Sequence, residues 1–146
     1  MEPTDTGTCP AGCTECKCAS PDTPVATPDG ERPIASLEVG DLVYSVDHDA
    51  LRAVPILATH RTPANDHHVV RVVLATGRVL EISPKHPTAD GRAFADLHAG
   101  DRLDGVAVIA TELVPFSHPF TADILPGSNT GTYVAAGVVI GSTLRH

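Results

Sequence analysis

Tryptophan is missing from this sequence, which holds only 2 tyrosines and 3 phenylalanines. Any core must therefore be built from Val, Ile, Leu and Ala. Positive charge is also scarce. There are 10 Lys and Arg against 18 Asp and Glu, for a net charge of −8. No basic surface is available to grip a phosphate backbone, so nucleic acid is excluded as a partner. No apolar run reaches the roughly 18 residues that a membrane helix needs, and no basic-then-apolar leader opens the chain. The expectation is a soluble monomer without a membrane partner, cut from a larger precursor whose export signal, if it has one, lies elsewhere. Cysteine is confined to Cys9, Cys13, Cys16 and Cys18. None remains to staple the body, whose stability must come from packing. A sustained 3.6-residue apolar stripe is lacking too, which argues against helices.

What is present is a succession of short aliphatic runs broken by 12 glycines and 13 prolines. Residues 1–17 carry Thr, Pro, Gly, Cys and acids without apolar periodicity, and read as a flexible lead-in. The folded domain is expected over 18–146. Within it, 24–26, 42–46, 54–59, 69–74, 79–82, 106–109, 113–116, 122–125, 132–135 and 138–140 are strand candidates. Pro55 puts its strand at an edge or a strand start. The runs 69–74 and 79–82 flank a short Gly77-containing turn and read as a hairpin. Many short strands with frequent turns predict an all-β domain.

The sequence also echoes itself. Thr27-Pro28-Asp29-Gly30 followed by Ala35-Ser36-Leu37-Glu38-Val39-Gly40-Asp41 returns as Thr88-Ala89-Asp90-Gly91 followed by Ala95-Asp96-Leu97-His98-Ala99-Gly100-Asp101. This repeat implies two similar halves related by a pseudo-two-fold. The segments preceding each copy, 18–23 and 83–86, would then occupy related places and face each other.

Chemistry concentrates in those two segments. A thiol beside a histidine suits attack on a carbonyl, because the imidazole can accept the thiol proton or protonate a departing amide nitrogen. Cys18 and His86 are the candidate pair, and the Ser83 hydroxyl could polarise the same peptide. From the residues alone two other readings stay open. Cys18 could belong to the cysteine cluster, and His86 could be a turn histidine before Pro87.

The stretch Cys18-Ala-Ser-Pro-Asp-Thr-Pro-Val-Ala-Thr-Pro-Asp-Gly, continued by Ile34-Ala-Ser-Leu-Glu-Val-Gly-Asp-Leu-Val43, resembles the opening block of hedgehog/intein (Hint) domains. Gly77-Arg-Val-Leu-Glu-Ile-Ser83-Pro-Lys-His86 resembles the block that ends in Ser/Thr-x-x-His. Thr121-Ala-Asp123-Ile-Leu and Thr130–Thr143 resemble the closing blocks. The resemblance implies an all-β horseshoe with pseudo-two-fold halves. It also implies an autocatalytic, single-turnover N–S acyl shift. Cys18 would attack the carbonyl of Lys17 to give a thioester, with Ser83 and His86 activating that peptide. Asp123 would tune the thiol or protonate an intermediate.

Two departures narrow this expectation. Splicing inteins end in His-Asn before a Cys, Ser or Thr, whereas here Gly141 stands where the His would be, followed by Ser142. Neither Gly nor Ser can form a succinimide, so Asn-cyclisation splicing is not expected. The tail is closer to the hedgehog type, which hands its thioester to an outside nucleophile: water, a thiol, an amine or a hydroxyl. The position matching the hedgehog acidic base is His60. The hydroxyls of Ser142 and Thr143 are alternative internal acceptors, and His118 is a further candidate near the site. No cofactor is expected. Cys9, Cys13, Cys16 and Cys18 could nevertheless hold Zn²⁺ or form a disulfide, and either would block the nucleophile. The rival reading is a Hint-fold module that no longer reacts and serves as a structural or metal-binding unit.

Overall fold

The computed structural model describes residues 18–63 and 68–144. Among them the longest helical pieces are two 3-10 turns, Ile34–Ser36 and Phe94–Asp96. The strands are β1 Pro24–Thr27, β2 Gly30–Pro33, β3 Leu42–Asp47, β4 Ala50–Pro63, β5 His68–Leu74, β6 Val79–Ile82, β7 Arg102–Leu103, β8 Val106–Pro115, β9 Phe120–Pro126, β10 Tyr133–Ala135 and β11 Val138–Ile140. They form antiparallel sheets ordered β11-β10-β1-β2, β3-β4-β9 and β6-β5-β8-β7. The expected all-β class and the β5–β6 hairpin are both present. Ile34, Ile56, Leu74, Leu80, Ile82, Leu103, Ile124 and Ile140 pack with Phe94 and Tyr133 in one aliphatic core.

Several strands differ from their expected bounds. Segments 106–109 and 113–116 are one strand, because β8 pairs with β5 from Leu74↔Val108 to His68↔Pro115 and carries its polar Thr111 and Glu112 through. Pro55 lies inside β4 rather than at its start. It sits where β4 leaves β3, at Leu42↔Pro55, and takes up β9, at Ile56↔Pro126. A missing N–H is tolerated at such a change of partner. Strands β2 and β7 were not foreseen. Gly30-Glu31-Arg32-Pro33 is polar edge sequence, and β7 has only 2 residues.

The repeat seen in the sequence is a symmetry of the hydrogen-bond network. Leu37 N–H donates to Ile34 O at 3.2 Å, and Leu97 N–H to Phe94 O at 3.2 Å. Asp41 and Asp101 each accept from the backbone N–H three residues back, of Glu38 and His98, at 2.9 Å. Gly40 N–H reaches Ile56 O and Gly100 N–H reaches Val108 O, both at 2.9 Å. The correspondence runs into the preceding segments. Thr23 N–H donates to Ser20 O and His86 N–H to Ser83 O, both at 3.0 Å. Ser20 N–H donates to Glu81 O at 3.0 Å while Ser83 N–H donates to Cys18 O at 2.9 Å. The pseudo-two-fold therefore passes between Ala19 and Ile82, which face each other as an isolated bridge. It exchanges Ser20-Pro21-Asp22-Thr23 with Ser83-Pro84-Lys85-His86.

Candidate active site

The axis sets Cys18 in place. Ala19 exchanges both backbone hydrogen bonds with Ala122 of β9 at 2.8 Å. With Ser20 and Ser83 holding the other edge, the extended segment from Cys18 to Ser20 is wedged between β6 and β9, which Ala19 joins through isolated bridges. Its backbone has little freedom left. Cys18 is 3% exposed. Its amide N–H donates to Ser83 Oγ at 3.1 Å, and its Sγ lies 3.7 Å from Thr62 Oγ1. Burial, and then the negative charge of Asp123, push the thiol up to about 12, against an opposing pull from the Thr62 and Thr121 hydroxyls. At neutral pH the group is a thiol rather than a thiolate.

His86 sits at the end of the turn that carries Ser83, with its ring fully buried and its edge toward Phe94, 6.1 Å between centroids. Nε2 lies 2.8 Å from the Gly141 carbonyl. A carbonyl only accepts, so the proton is on Nε2. Nδ1 is buried and has no hydrogen-bond partner among the described residues. It presents a lone pair when the ring is neutral and a proton when the ring is an imidazolium.

Asp123 is 1% exposed. Its Oδ1 accepts from Tyr133 Oη at 2.7 Å and from Ile124 N–H at 2.9 Å. Its Oδ2 accepts from Thr143 N–H at 2.8 Å, from Thr143 Oγ1, and from Ser142 Oγ at 3.5 Å. Donors rather than a cation thus hold this buried carboxylate, and most come from the tail. Tyr133 is itself buried, and its phenol is pushed well above the usual range by burial and by the Asp123 charge.

The other expected residues fall as follows. His60 is half-buried and directly opposite Asp123 on the paired strands β4 and β9. Two residues along β4 on the same face is Thr62. Among the described residues no side-chain hydrogen bond joins His60 to Asp123. Thr143 is brought to Asp123, whereas Ser142 Oγ donates chiefly to Ile124 O at 2.6 Å. His118 is drawn instead to Asp22, Nε2 to Oδ2 at 3.7 Å, on the rim beside Ser20. Lys17, Cys9, Cys13 and Cys16 lie outside the described residues. Among the described residues no group of three metal-ligating side chains occurs.

Gly141 has a steric role. A Cβ there would stand 3.1 Å from Pro87 Cγ, 3.1 Å from the Thr88 carbonyl and 3.2 Å from that of Pro87. The backbone of 87–88 closes onto the position that a histidine side chain would need.

Sequence reasoning missed Thr62, Thr121 and Tyr133. The fold shows what would have found the two threonines. The axis that exchanges Ala19 with Ile82 also exchanges their partners, Ala122 and Val70. Thr121 therefore corresponds to Val69, and Thr62, opposite Thr121, to Val114, opposite Val69. His60 and Asp123 correspond in the same way to Glu112 and Arg71. The two hydroxyls facing the Cys18 sulfur stand where the other half has valines.

The Hint domain family profile matches residues 17–123. The chain belongs to the Hint domain family. Its fold is that of several solved Hint structures. The gp41-1 intein is 20% identical, over 86% of this chain and 98% of that one, with a TM-score of 0.67. The bacterial intein-like domain from Clostridium thermocellum is 18% identical, over 86% and 96%, with a TM-score of 0.71. The DnaB intein from Synechocystis sp. PCC 6803 is 12% identical, over 88% and 99%, with a TM-score of 0.71. No curated protein sequence matches the chain. Family and fold are those of a self-processing Hint domain, and the candidate site is composite. One half brings Cys18, the other Ser83 and His86, and the β4–β9 ribbon brings His60, Thr62, Thr121 and Asp123.

Proposed function

We propose that this Hint domain processes itself at the Lys17–Cys18 peptide by an N–S acyl shift. The observation that carries the reading is the hydrogen bond from the Cys18 amide N–H to Ser83 Oγ, 3.1 Å, from a residue whose own side chain is the buried thiol. It orients the peptide on the nitrogen side, where the bond must break. The sulfur attacks the Lys17 carbonyl carbon, the C–S bond forms and the C–N bond breaks. The thiol proton is lost and the Cys18 nitrogen gains one, so the step is a net isomerisation. Amide nitrogen leaves only when protonated, and Nδ1 of the His86 imidazolium is suited to supply that proton. Burial in the site, with a bond through Nε2 to Gly141 O, fixes which nitrogen is available. Burial, and then the Asp123 charge, keep the resting thiol protonated.

The product is a thioester of the N-terminal flanking polypeptide on Cys18. It is released to water, a thiol, an amine or a hydroxyl, without a cofactor. A second reading, transfer to an internal hydroxyl, is favoured by one observation. Thr143 Oγ1 donates to Asp123 Oδ2, a carboxylate that could take its proton, while Ser142 is committed to Ile124 O. His60, opposite Asp123, is the base available to an outside acceptor. Since Ser142 cannot cyclise, neither route joins the flanks by the standard Asn step.

The test is incubation with dithiothreitol followed by mass spectrometry, on the parent chain and on Cys18→Ala and Ser83→Ala. The expected result is a break after Lys17 in the parent, none in Cys18→Ala, and a slower one in Ser83→Ala. A chain that stays whole in every arm would identify an inert module.

A further inference from the structure

We propose that Thr62 is a further catalytic residue of this site, its hydroxyl donating to the Cys18 sulfur as that sulfur loses its proton and attacks. The inference rests on the acyl-shift reading above and adds a residue to it.

Three observations support it. First, Thr62 Oγ1 is within sulfur hydrogen-bond distance of Sγ, at 3.7 Å, in a buried place. Resting, the thiol and hydroxyl can exchange donor roles. Once the proton leaves sulfur only the hydroxyl can donate, so the contact strengthens as negative charge develops. Second, Thr121, fully buried, lies directly opposite on β9, and its hydroxyl is directed to the Thr62 carbonyl at 3.5 Å. The two hydroxyls form a polar spot beside Cys18, on the same face of the β4–β9 ribbon as His60 and Asp123. Third, the pseudo-two-fold puts a Val114–Val69 pair at the equivalent place. Valine and threonine are nearly isosteric and both suit a strand. The fold therefore does not need hydroxyls there, and they depart from the repeat where it faces the nucleophile.

The site otherwise works against thiolate formation, since burial and Asp123 both favour the neutral thiol. A donor aimed at sulfur offsets part of that. The bonds made and broken are those of the acyl shift itself: C–S forms, C–N breaks, and one proton passes from sulfur's side to nitrogen's. No further reactant is required.

The experiment measures the rate of thioester formation, trapped with dithiothreitol, in the full chain and in Thr62→Val and Thr62→Ser. A second series repeats the measurement with selenium in place of the Cys18 sulfur. Thr62→Val keeps the shape that the other half tolerates, and thermal melting checks that it folds. The expected result is a loss of about tenfold or more in Thr62→Val, the size of a hydrogen bond to a charged group, with Thr62→Ser near the parent rate. The Val penalty should shrink with selenium, which is more acidic and needs less help. Equal rates in parent and Val, a Ser variant as slow as Val, or a penalty unchanged by selenium would each overturn the role. A parent chain that forms no thioester would overturn the acyl-shift reading as well.

Discussion

The buried thiol makes a prediction about stability that does not depend on catalysis. Cys18 is raised from its ordinary 9.0 to about 12 by burial and by Asp123. The folded chain thus holds the thiol proton more tightly than the unfolded chain does. The contribution to stability is complete below pH 9, where both states are protonated. It is lost as pH rises from 9 toward 12, where the unfolded state has released its proton and the folded state has not. The full difference corresponds to about 4 kcal/mol, of which about 2 kcal/mol is gone by about pH 10.5. The measurement is urea unfolding by circular dichroism between pH 8 and 10.5, with a phosphine reductant, on the parent and Cys18→Ala. The other three cysteines are common to both chains and cancel in the difference. The parent should lose stability relative to Cys18→Ala at about 1.4 kcal/mol per pH unit above 9. Parallel curves over that range would refute the claim that the nucleophile is held as a desolvated thiol.

Other consequences can be checked alongside. Asp123→Asn keeps one acceptor oxygen and turns the other into an NH2 donor, which must face either Tyr133 Oη and Ile124 N–H or Thr143 N–H, and should cost about 3 kcal/mol in the same urea assay. It should also weaken the alkaline loss, because the charge that helps raise Cys18 is gone. Gly141→Ala places a methyl 3.1 Å from the Thr88 carbonyl and should cost about 1–3 kcal/mol, a drop of several degrees in melting temperature. It should slow self-cleavage as well, by moving the carbonyl that sets the His86 tautomer. An unchanged melting curve would show that the tail can move aside.

Much of this site was legible in the sequence because it lies in or beside the repeated blocks. The echo of Thr-x-Asp-Gly and Leu-x-x-Gly-Asp identified the two halves, and the residues just before each copy are the ones the axis exchanges. Cys18, Ser83 and His86 were candidates on that ground, and the resemblance supplied the roles expected of them. Asp123 was visible only through resemblance, since an acid in a strand has no pattern of its own. Thr62 and Thr121 were hidden for a physical reason. A β-branched residue on an alternating strand is what sheet packing asks for anyway, so a hydroxyl there is no signal. It becomes one only when the register of β4 with β9 is set against that of β8 with β5. The same locality explains the merged strand β8. The polar Thr111 and Glu112 look like a break until the partner strand is known. Tyr133 read as strand filler because its carboxylate partner is ten residues away, across a turn.

The central claim is that the Lys17–Cys18 bond passes through a thioester on Cys18. Hydroxylamine tests it most directly, because it cleaves thioesters far faster than amides and leaves its mark on the acyl group. The unmodified chain, treated at neutral pH and analysed by mass spectrometry, should release residues 1–17 ending in a Lys17 hydroxamate, with a companion fragment beginning at Cys18. An intact chain, or cleavage that persists in Cys18→Ala, would contradict the account.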